Sequence, residues 1–191
     1  MPRHEFVHPY YYDQLNNKDL IEIQEYISTL SDKDYKHNHI QHYDGDQDKV
    51  YEDYRSCEIH YPKKSSVFFR VGKKIFNTIN KKYYRYDLRD VIEFQLIKYQ
   101  MGGNYNWHID YGVAPDRRFV RKLSMTIQLS DPSKYEGGEL QLVNYANNLV
   151  MMEKYLGRVL VFDAKIPHKV WPVTWGERYA LVGWVSGPQL R

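Results

Sequence analysis

The segment Leu123-Ser124-Met125-Thr126-Ile127-Gln128-Leu129 alternates strictly between apolar and polar side chains. Successive side chains of a strand point to opposite faces, so this segment reads as a β-strand with one apolar face for packing. Its other face, carrying Ser124, Thr126 and Gln128, calls for a polar cavity. The surrounding sequence agrees. From Val91 onward, short runs near 92–100, 105–110, 122–129, 139–144, 148–152, 157–162, 168–173 and 178–185 are punctuated by Gly, Pro, Asn and Asp. No helical pattern of comparable strength intervenes, and eight short strands fit a jelly roll with the cavity inside it.

The N-terminal half reads differently. Asn16-Asn17 can cap a helix running to about Leu30, in which Leu20, Ile23, Ile27 and Leu30 recur at three- and four-residue spacing, and Ser31-Asp32 ends it. A second helix follows Ser65-Ser66, with Val67, Val71, Ile75 and Ile79 on one face that should pack against a sheet. Residues 32–55 between them are polar and lack periodicity, which fits a surface excursion or a strand pair with a long loop. The expected organisation is one domain over 1–191, with helical and irregular support in 1–90 and a jelly-roll core in 91–187.

Composition bounds the setting. The formal net charge of +3 is spread along the chain, and its densest clusters, such as Lys63-Lys64, Lys73-Lys74 and Lys81-Lys82, are only pairs, a weak case for nucleic acid. The single cysteine, Cys57, cannot form an intramolecular disulfide and has no visible nucleophile partner, so it reads as a small buried or half-buried side chain. The start MPRHEF lacks the pattern of a secretory leader, which with the lone cysteine points to a cytoplasmic setting. No apolar run approaches the roughly 18 residues of a membrane-spanning helix, and mean hydropathy is -0.70. Nineteen tyrosines favour strands and half-buried surfaces with wet hydroxyls.

His108 and Asp110 stand two apart on the strand expected at 105–110, so both project to one face, and His168 arrives from a later strand after Val159-Leu160-Val161-Phe162. Two imidazoles and one carboxylate on one face of an octahedron leave three open positions, which favours Fe(II) and oxygen chemistry. Zinc accepts the same ligands, but a hydrolytic zinc site of this composition usually needs a separate general base, and the sequence has no HExxH. The same His-x-Asp pattern recurs at His42-Tyr43-Asp44 without a flanking strand. The run after Asp44 also fails as a calcium loop, because Lys49 stands where glycine is needed. Arg178, ten residues beyond His168, is expected on the neighbouring antiparallel strand, with its guanidinium in the same cavity. Its planar fork suits a carboxylate; an ordinary strand arginine paired with an acid is the alternative.

The segments YQMGGNYNWHID (99–110), LSMTIQLSDPSKYEGGELQL (123–142) and PHKVWPVTWGERYALVGWV (167–185) together resemble 2-oxoglutarate/Fe(II)-dependent oxygenases of the prolyl 4-hydroxylase type, and most closely the bacterial PKHD-type hydroxylases. The resemblance covers about residues 55–187 and implies a mainly β fold with flanking N-terminal helices around a double-stranded β-helix (jelly-roll, cupin-like) core. It implies Fe(II) held by His108, Asp110 and His168, and 2-oxoglutarate held by the metal and, through its 5-carboxylate, by Arg178. Dioxygen is the other co-substrate, and ascorbate a candidate reductant. The expected reaction is hydroxylation of an unactivated C–H bond, with conversion of 2-oxoglutarate to succinate and CO2. The presence of Asp110 argues against the halogenase variant.

The same resemblance places Tyr99 near the co-substrate, with a buried structural tyrosine as the alternative. Gln128 stands where some relatives carry a tyrosine on the 5-carboxylate, and Trp184, on the same side of its strand as Arg178, matches an aromatic beside the pocket. Core packing is the alternative for Trp184. Trp107 should face away from the metal into the core, Gly137-Gly138 should form a tight turn, and Asp163 and Trp171 read as structural. The loop 111–121, with Pro115, Arg117 and Arg118, is a candidate lid or substrate-selecting element. A prolyl or other residue of a peptide or protein is the expected substrate. The alternatives are a free amino acid, nucleobase or small metabolite, or a jelly-roll module that binds metal or a small acid without turnover. Oligomeric state is left open.

Overall fold

The computed structural model describes residues 10–40, 54–90, 92–112 and 118–189. The His42 pattern, Lys49, Pro115 and Arg117 lie outside the described residues. Strand β1 (Tyr10–Gln14) leads to helix α1 (Asn17–Ser28), then to β2 (Lys36–Ile40) and β3 (Arg55–His60), and helix α2 (Val67–Ile79) follows. The chain is β-rich from there on. β4 (Ile92–Tyr99), β5 (Asn104–His108) and β6 (Phe119–Gln128) come first, then β7 (Tyr135–Gly137), β8 (Leu140–Val143) and β9 (Leu149–Met151). β10 (Arg158–Asp163), β11 (His168–Val170), β12 (Val173–Gly176) and β13 (Arg178–Pro188) complete it.

The strands hydrogen-bond in the order β1-β10-β6-β13-β4-β3-β5-β11-β8-β9, with β2 on β3, and β12 pairs separately with β7. The sheet turns over at β3, which pairs with β4 through Glu58–His60 and with β5 through Arg55 and Ser56. Its two halves therefore face each other. Ile97, Tyr99, Leu160 and Phe162 of the first half pack with Leu140, Leu142 and Val170 of the second. On the outer face of the first half, Phe94, Leu96, Leu123, Ile127, Val161 and Leu181 pack with Ile23 of α1 and Phe68, Val71, Ile75 and Phe76 of α2. Period-two alternation in β4, β6, β10 and β13 thus supplies two interiors, one under the helices and one between the layers. Gly72 lets α2 approach closely, since a Cβ there would lie 2.2 Å from the Phe94 ring. No helix among the described residues is long and apolar enough to cross a membrane.

Asn16 caps α1 as expected, its side chain accepting from the Asp19 N–H. The alternative of a strand pair within 32–55 holds in part, as β2 against β3, with Lys36 opposite Ile59. Several boundaries differ. The strand expected at 105–110 stops at His108, and that expected at 168–173 stops at Val170, where Pro172, without an N–H, cannot continue the ladder. The chain then forms β12 and crosses to the opposite layer as β13. His168 and Arg178 are consequently not on neighbouring strands: β11 pairs with β5 and β8, whereas β13 pairs with β4 and β6. Trp107 does alternate away from His108 along β5, but it is half-buried with Lys169 Nζ 5.3 Å from its ring, not in the core.

Candidate metal and carboxylate site

His108 and His168 are direct partners across the β5–β11 ladder, with ring centroids 4.1 Å apart. Nδ1 of His108 lies 2.7 Å from the carbonyl oxygen of Asn106, and Nδ1 of His168 lies 2.9 Å from that of Ile166. A carbonyl can only accept, so each Nδ1 carries a proton and each Nε2 offers its lone pair to the cavity. Asp110 follows just after β5. Its N–H and that of Tyr111 both donate to Ala164 O, at 3.0 and 2.8 Å, which fixes the turn beside β10. The carboxylate then lies 3.8 Å from His108 Nε2 and 3.5 Å from His168 Nε2, and the three ligand atoms fall within 4.8 Å of one another.

Two further side chains hold Asp110. Ser124 Oγ donates to its Oδ2 at 2.7 Å, and the Trp184 indole hydrogen-bonds to the same carboxylate. Burial works against the Asp110 anion, but the two imidazoles, Ser124 and Trp184 outweigh it and hold the carboxyl below its ordinary range. Burial, reinforced by His168, pushes His108 down to about 3, so in the metal-free chain it is neutral and ready to ligate at neutral pH.

Arg178 enters the cavity from β13, opposite Tyr99 on β4, and is only 1% exposed. Its Nη2 donates to Gln128 Oε1 at 2.9 Å, and the guanidinium carbon lies 5.3 Å from the Tyr99 ring centroid. Nε and Nη1 are buried without a partner among the described residues. The alternative of an internal ion pair is not what the structure shows: Glu139, the acid that senses Arg178, is held by Lys154 at 2.5 Å. A buried guanidinium with orphaned donors is a costly arrangement unless a ligand completes it, and a carboxylate matches both its charge and its geometry.

The structure brings His108, Asp110, His168 and Arg178 together around one cavity. Tyr99 lines the cavity beneath Arg178. Gln128 positions Arg178, and Trp184 lines the cavity with its hydrogen bond directed to Asp110. Asp163 accepts from the Tyr86 hydroxyl at 2.5 Å, and the Trp171 indole donates to Gln141, in keeping with structural roles for both. Gly137 and Gly138 have φ of +70° and +63°, and Gly138 does more than turn the chain. A Cβ there would stand 2.8 Å from Arg178 Cδ, so its bareness makes room for that side chain. Arg55 and Tyr105, which also line the cavity, were not singled out from sequence; nor was the role of Ser124, although its place on the polar face of β6 was the available signal.

Residues 94–186 match the family model described as the 2OG-Fe(II) oxygenase superfamily. Among curated proteins, the chain is 38% identical over 89 residues to a PKHD-type hydroxylase of Gloeothece citriformis, covering 47% of this chain and 40% of that one. It is 40% identical over 88 residues to one of Maricaulis maris, covering 46% and 39%. The aligned part thus spans about 40% of the length of these relatives. A prolyl-4-hydroxylase of Pseudomonas putida has a similar fold, with a TM-score of 0.70 at 18% identity, covering 96% of this chain and 95% of that one. So does a viral collagen prolyl hydroxylase from Paramecium Bursaria Chlorella virus-1 solved as a 2OG complex, with TM-score 0.63, 19% identity and coverages of 94% and 96%. A prolyl hydroxylase of Trichoplax adhaerens, solved with a hypoxia inducible factor peptide fragment, has TM-score 0.70 at 18% identity, covering 93% and 83%. These structures establish the double-stranded β-helix architecture.

Proposed function

We propose, from the premise that the chain belongs to the 2OG-Fe(II) oxygenase superfamily through residues 94–186, that it is a dioxygenase hydroxylating an unactivated C–H bond at the expense of 2-oxoglutarate and O2. The observation that carries this reading is Arg178: a buried guanidinium with two unpaired donors, in the same cavity as two Nε2 lone pairs and a carboxylate. This donor set suits Fe(II) with open positions. When bound, the iron and 2-oxoglutarate supply the oxidising chemistry, in which O2 is divided between succinate and the hydroxyl group of the product and CO2 is released.

The chain's own residues place and shield that chemistry. His108, Asp110 and His168 would hold the metal, and the Nδ1 hydrogen bonds to Asn106 and Ile166 keep both rings aimed. Ser124 and Trp184 fix the ligating carboxylate. Arg178, anchored by Gln128, would take the 5-carboxylate of 2-oxoglutarate. The apolar lining from Ile97, Leu140, Phe162 and Val170 keeps water from the reacting atoms. A prolyl or other residue in a peptide or protein is the proposed substrate, a reading supported by the fold shared with the peptide-bound prolyl hydroxylase of Trichoplax adhaerens. The test is succinate formation from 2-oxoglutarate with Fe(II) and ascorbate, comparing the native chain with His108→Ala, together with a peptide screen for products heavier by one oxygen atom. Native turnover that the variant loses supports the proposal. Equal rates would return the chain to a binding module.

A further inference from the structure

Arg178 is not the only buried guanidinium in this cavity. Arg55, at the start of β3, is 8% exposed and lines the same pocket as His108, Asp110, His168 and Arg178. Its described partners are all uncharged. Nη2 donates to Gln95 Oε1 at 3.2 Å, the guanidinium carbon lies 4.5 Å from the Tyr105 ring centroid, and a further hydrogen bond reaches the Cys57 thiol, which burial keeps neutral. Nε is buried without a partner, and no carboxylate among the described residues pairs with the group. Arginine cannot shed its proton to escape the cost of burial.

The charges of the assembled site point to what is missing, on the proposed reading of the cavity as an Fe(II) and 2-oxoglutarate site. The two positive charges of Fe(II) and the one on Arg178 would be balanced by Asp110 and the two carboxylates of the co-substrate. Arg55 then has no compensating charge among the described residues. It enters the cavity from β3, two strands along the sheet from the co-substrate anchor on β13. Arg178 and Tyr99 are almost wholly enclosed, at 1% and 2% exposure, whereas Arg55 is followed into the cavity by Tyr105, half-buried and stacked on His108 with ring centroids 3.5 Å apart, and Tyr54 packs edge-on to Tyr105.

We propose that Arg55 anchors a carboxylate of the substrate, so that the C–H bond presented to the metal belongs to an acidic unit. That unit is a side-chain or C-terminal carboxylate of a peptide, or a free carboxylic acid. The guanidinium would hold the anion through the unpaired Nε edge while Tyr105 and Gln95 fix its plane, and the distance from Arg55 to the metal would select which carbon is hydroxylated.

The experiment uses the full chain loaded with Mn(II) and N-oxalylglycine, which mimics the co-substrate without turnover. Acetate and acetamide are titrated separately, following calorimetric heat and the broadening of each probe's methyl resonance by Mn(II). Acetate should bind saturably and broaden, and acetamide should not. Arg55→Gln should weaken acetate by about tenfold or more, the loss of one charge-assisted hydrogen-bonded pair, while Arg55→Lys, which keeps the charge but loses the fork, should weaken it by a smaller factor. Equal acetate affinity in Arg55→Gln, equal binding of acetamide, or no acetate binding to the native chain would overturn the proposal. So would a loss of N-oxalylglycine affinity in Arg55→Gln, which would assign the guanidinium to the co-substrate. If Arg55→Gln fails to fold by circular dichroism, Arg55→Lys and the acetate-to-acetamide comparison on the native chain decide. If the native chain binds neither Mn(II) nor N-oxalylglycine, the oxygenase reading fails separately, and acetate titration of the metal-free native chain against metal-free Arg55→Gln still isolates Arg55 from the open Arg178. Screening peptides with free and amidated C-termini beside free carboxylic acids separates the two sources, and products only from uncharged units would count against an acidic substrate.

Discussion

Gln128 on β6 accepts a hydrogen bond from Nη2 of Arg178 on β13 at 2.9 Å, and this contact anchors a cavity-lining guanidinium whose Nε and Nη1 are buried without a partner among the described residues. The arginine is aimed from one side and left open on the other, as a carboxylate anchor requires. Arg178→Lys, which keeps the charge and loses the fork, is expected to weaken 2-oxoglutarate binding by about tenfold or more. Gln128→Leu should weaken it less, by freeing the guanidinium to rotate. Calorimetric titration of the Mn(II)-loaded variants measures both, and Mn(II) affinity itself should be unchanged.

Gly138→Ala is expected to reach the same endpoint by a different route. Its φ of +63° is unfavourable for alanine, and the new methyl would lie 2.8 Å from Arg178 Cδ. Backbone strain of this kind costs about 1–3 kcal/mol, seen as a lowered thermal midpoint. The displaced guanidinium should cost co-substrate affinity, while Mn(II) still binds, since His108, Asp110 and His168 are untouched.

Ser124→Ala and Trp184→Phe each remove one hydrogen bond from the Asp110 carboxylate without touching the metal position. Losing an orienting partner of a ligand typically costs about 10–100-fold in metal affinity. Competition with a metal-sensitive dye should register that loss. Unchanged affinity in both variants would mean that the turn fixed by Ala164 alone positions Asp110.

Acid should destabilise the metal-free chain through His108. Its pKa falls from an ordinary 6.5 to about 3 in the fold, so between these values the unfolded chain binds more protons and stability declines as pH falls. Asp110 acts in the same direction at lower pH: its carboxyl is held below the ordinary range, and the stability it contributes is lost as pH falls through that range. The thermal midpoint between pH 7 and pH 4 should therefore drop less steeply for His108→Asn than for the native chain. Identical slopes would show that His108 is solvated in the absence of metal.

Much of this architecture could be read from residue spacing because it depends on local parity. The alternation in 123–129 separated Leu123 and Ile127, which face the helices, from Thr126, which lines the cavity, and from Ser124 and Gln128, which hydrogen-bond to Asp110 and Arg178. Parity also placed Trp184 beside Arg178, but it could not say that the indole would reach across to Asp110. What escaped depends on pairing at long range. The ten-position step from His168 to Arg178 suggested adjacent strands, whereas Pro172 and the pairing of β12 with β7 send the chain to the opposite layer, so the two side chains meet across the cavity. Arg55 sits in a polar stretch with no periodic signal, and only its register opposite Tyr105 brings it into the site.

The most direct test is a crystal structure of the chain with Mn(II) and N-oxalylglycine. It is expected to show one metal ion bonded to Nε2 of His108, Nε2 of His168 and a carboxylate oxygen of Asp110, with the far carboxylate of N-oxalylglycine hydrogen-bonded to the guanidinium of Arg178. A metal bound elsewhere, or a carboxylate that makes no hydrogen bond to Arg178, would contradict the assignment of this cavity to 2-oxoglutarate-dependent chemistry.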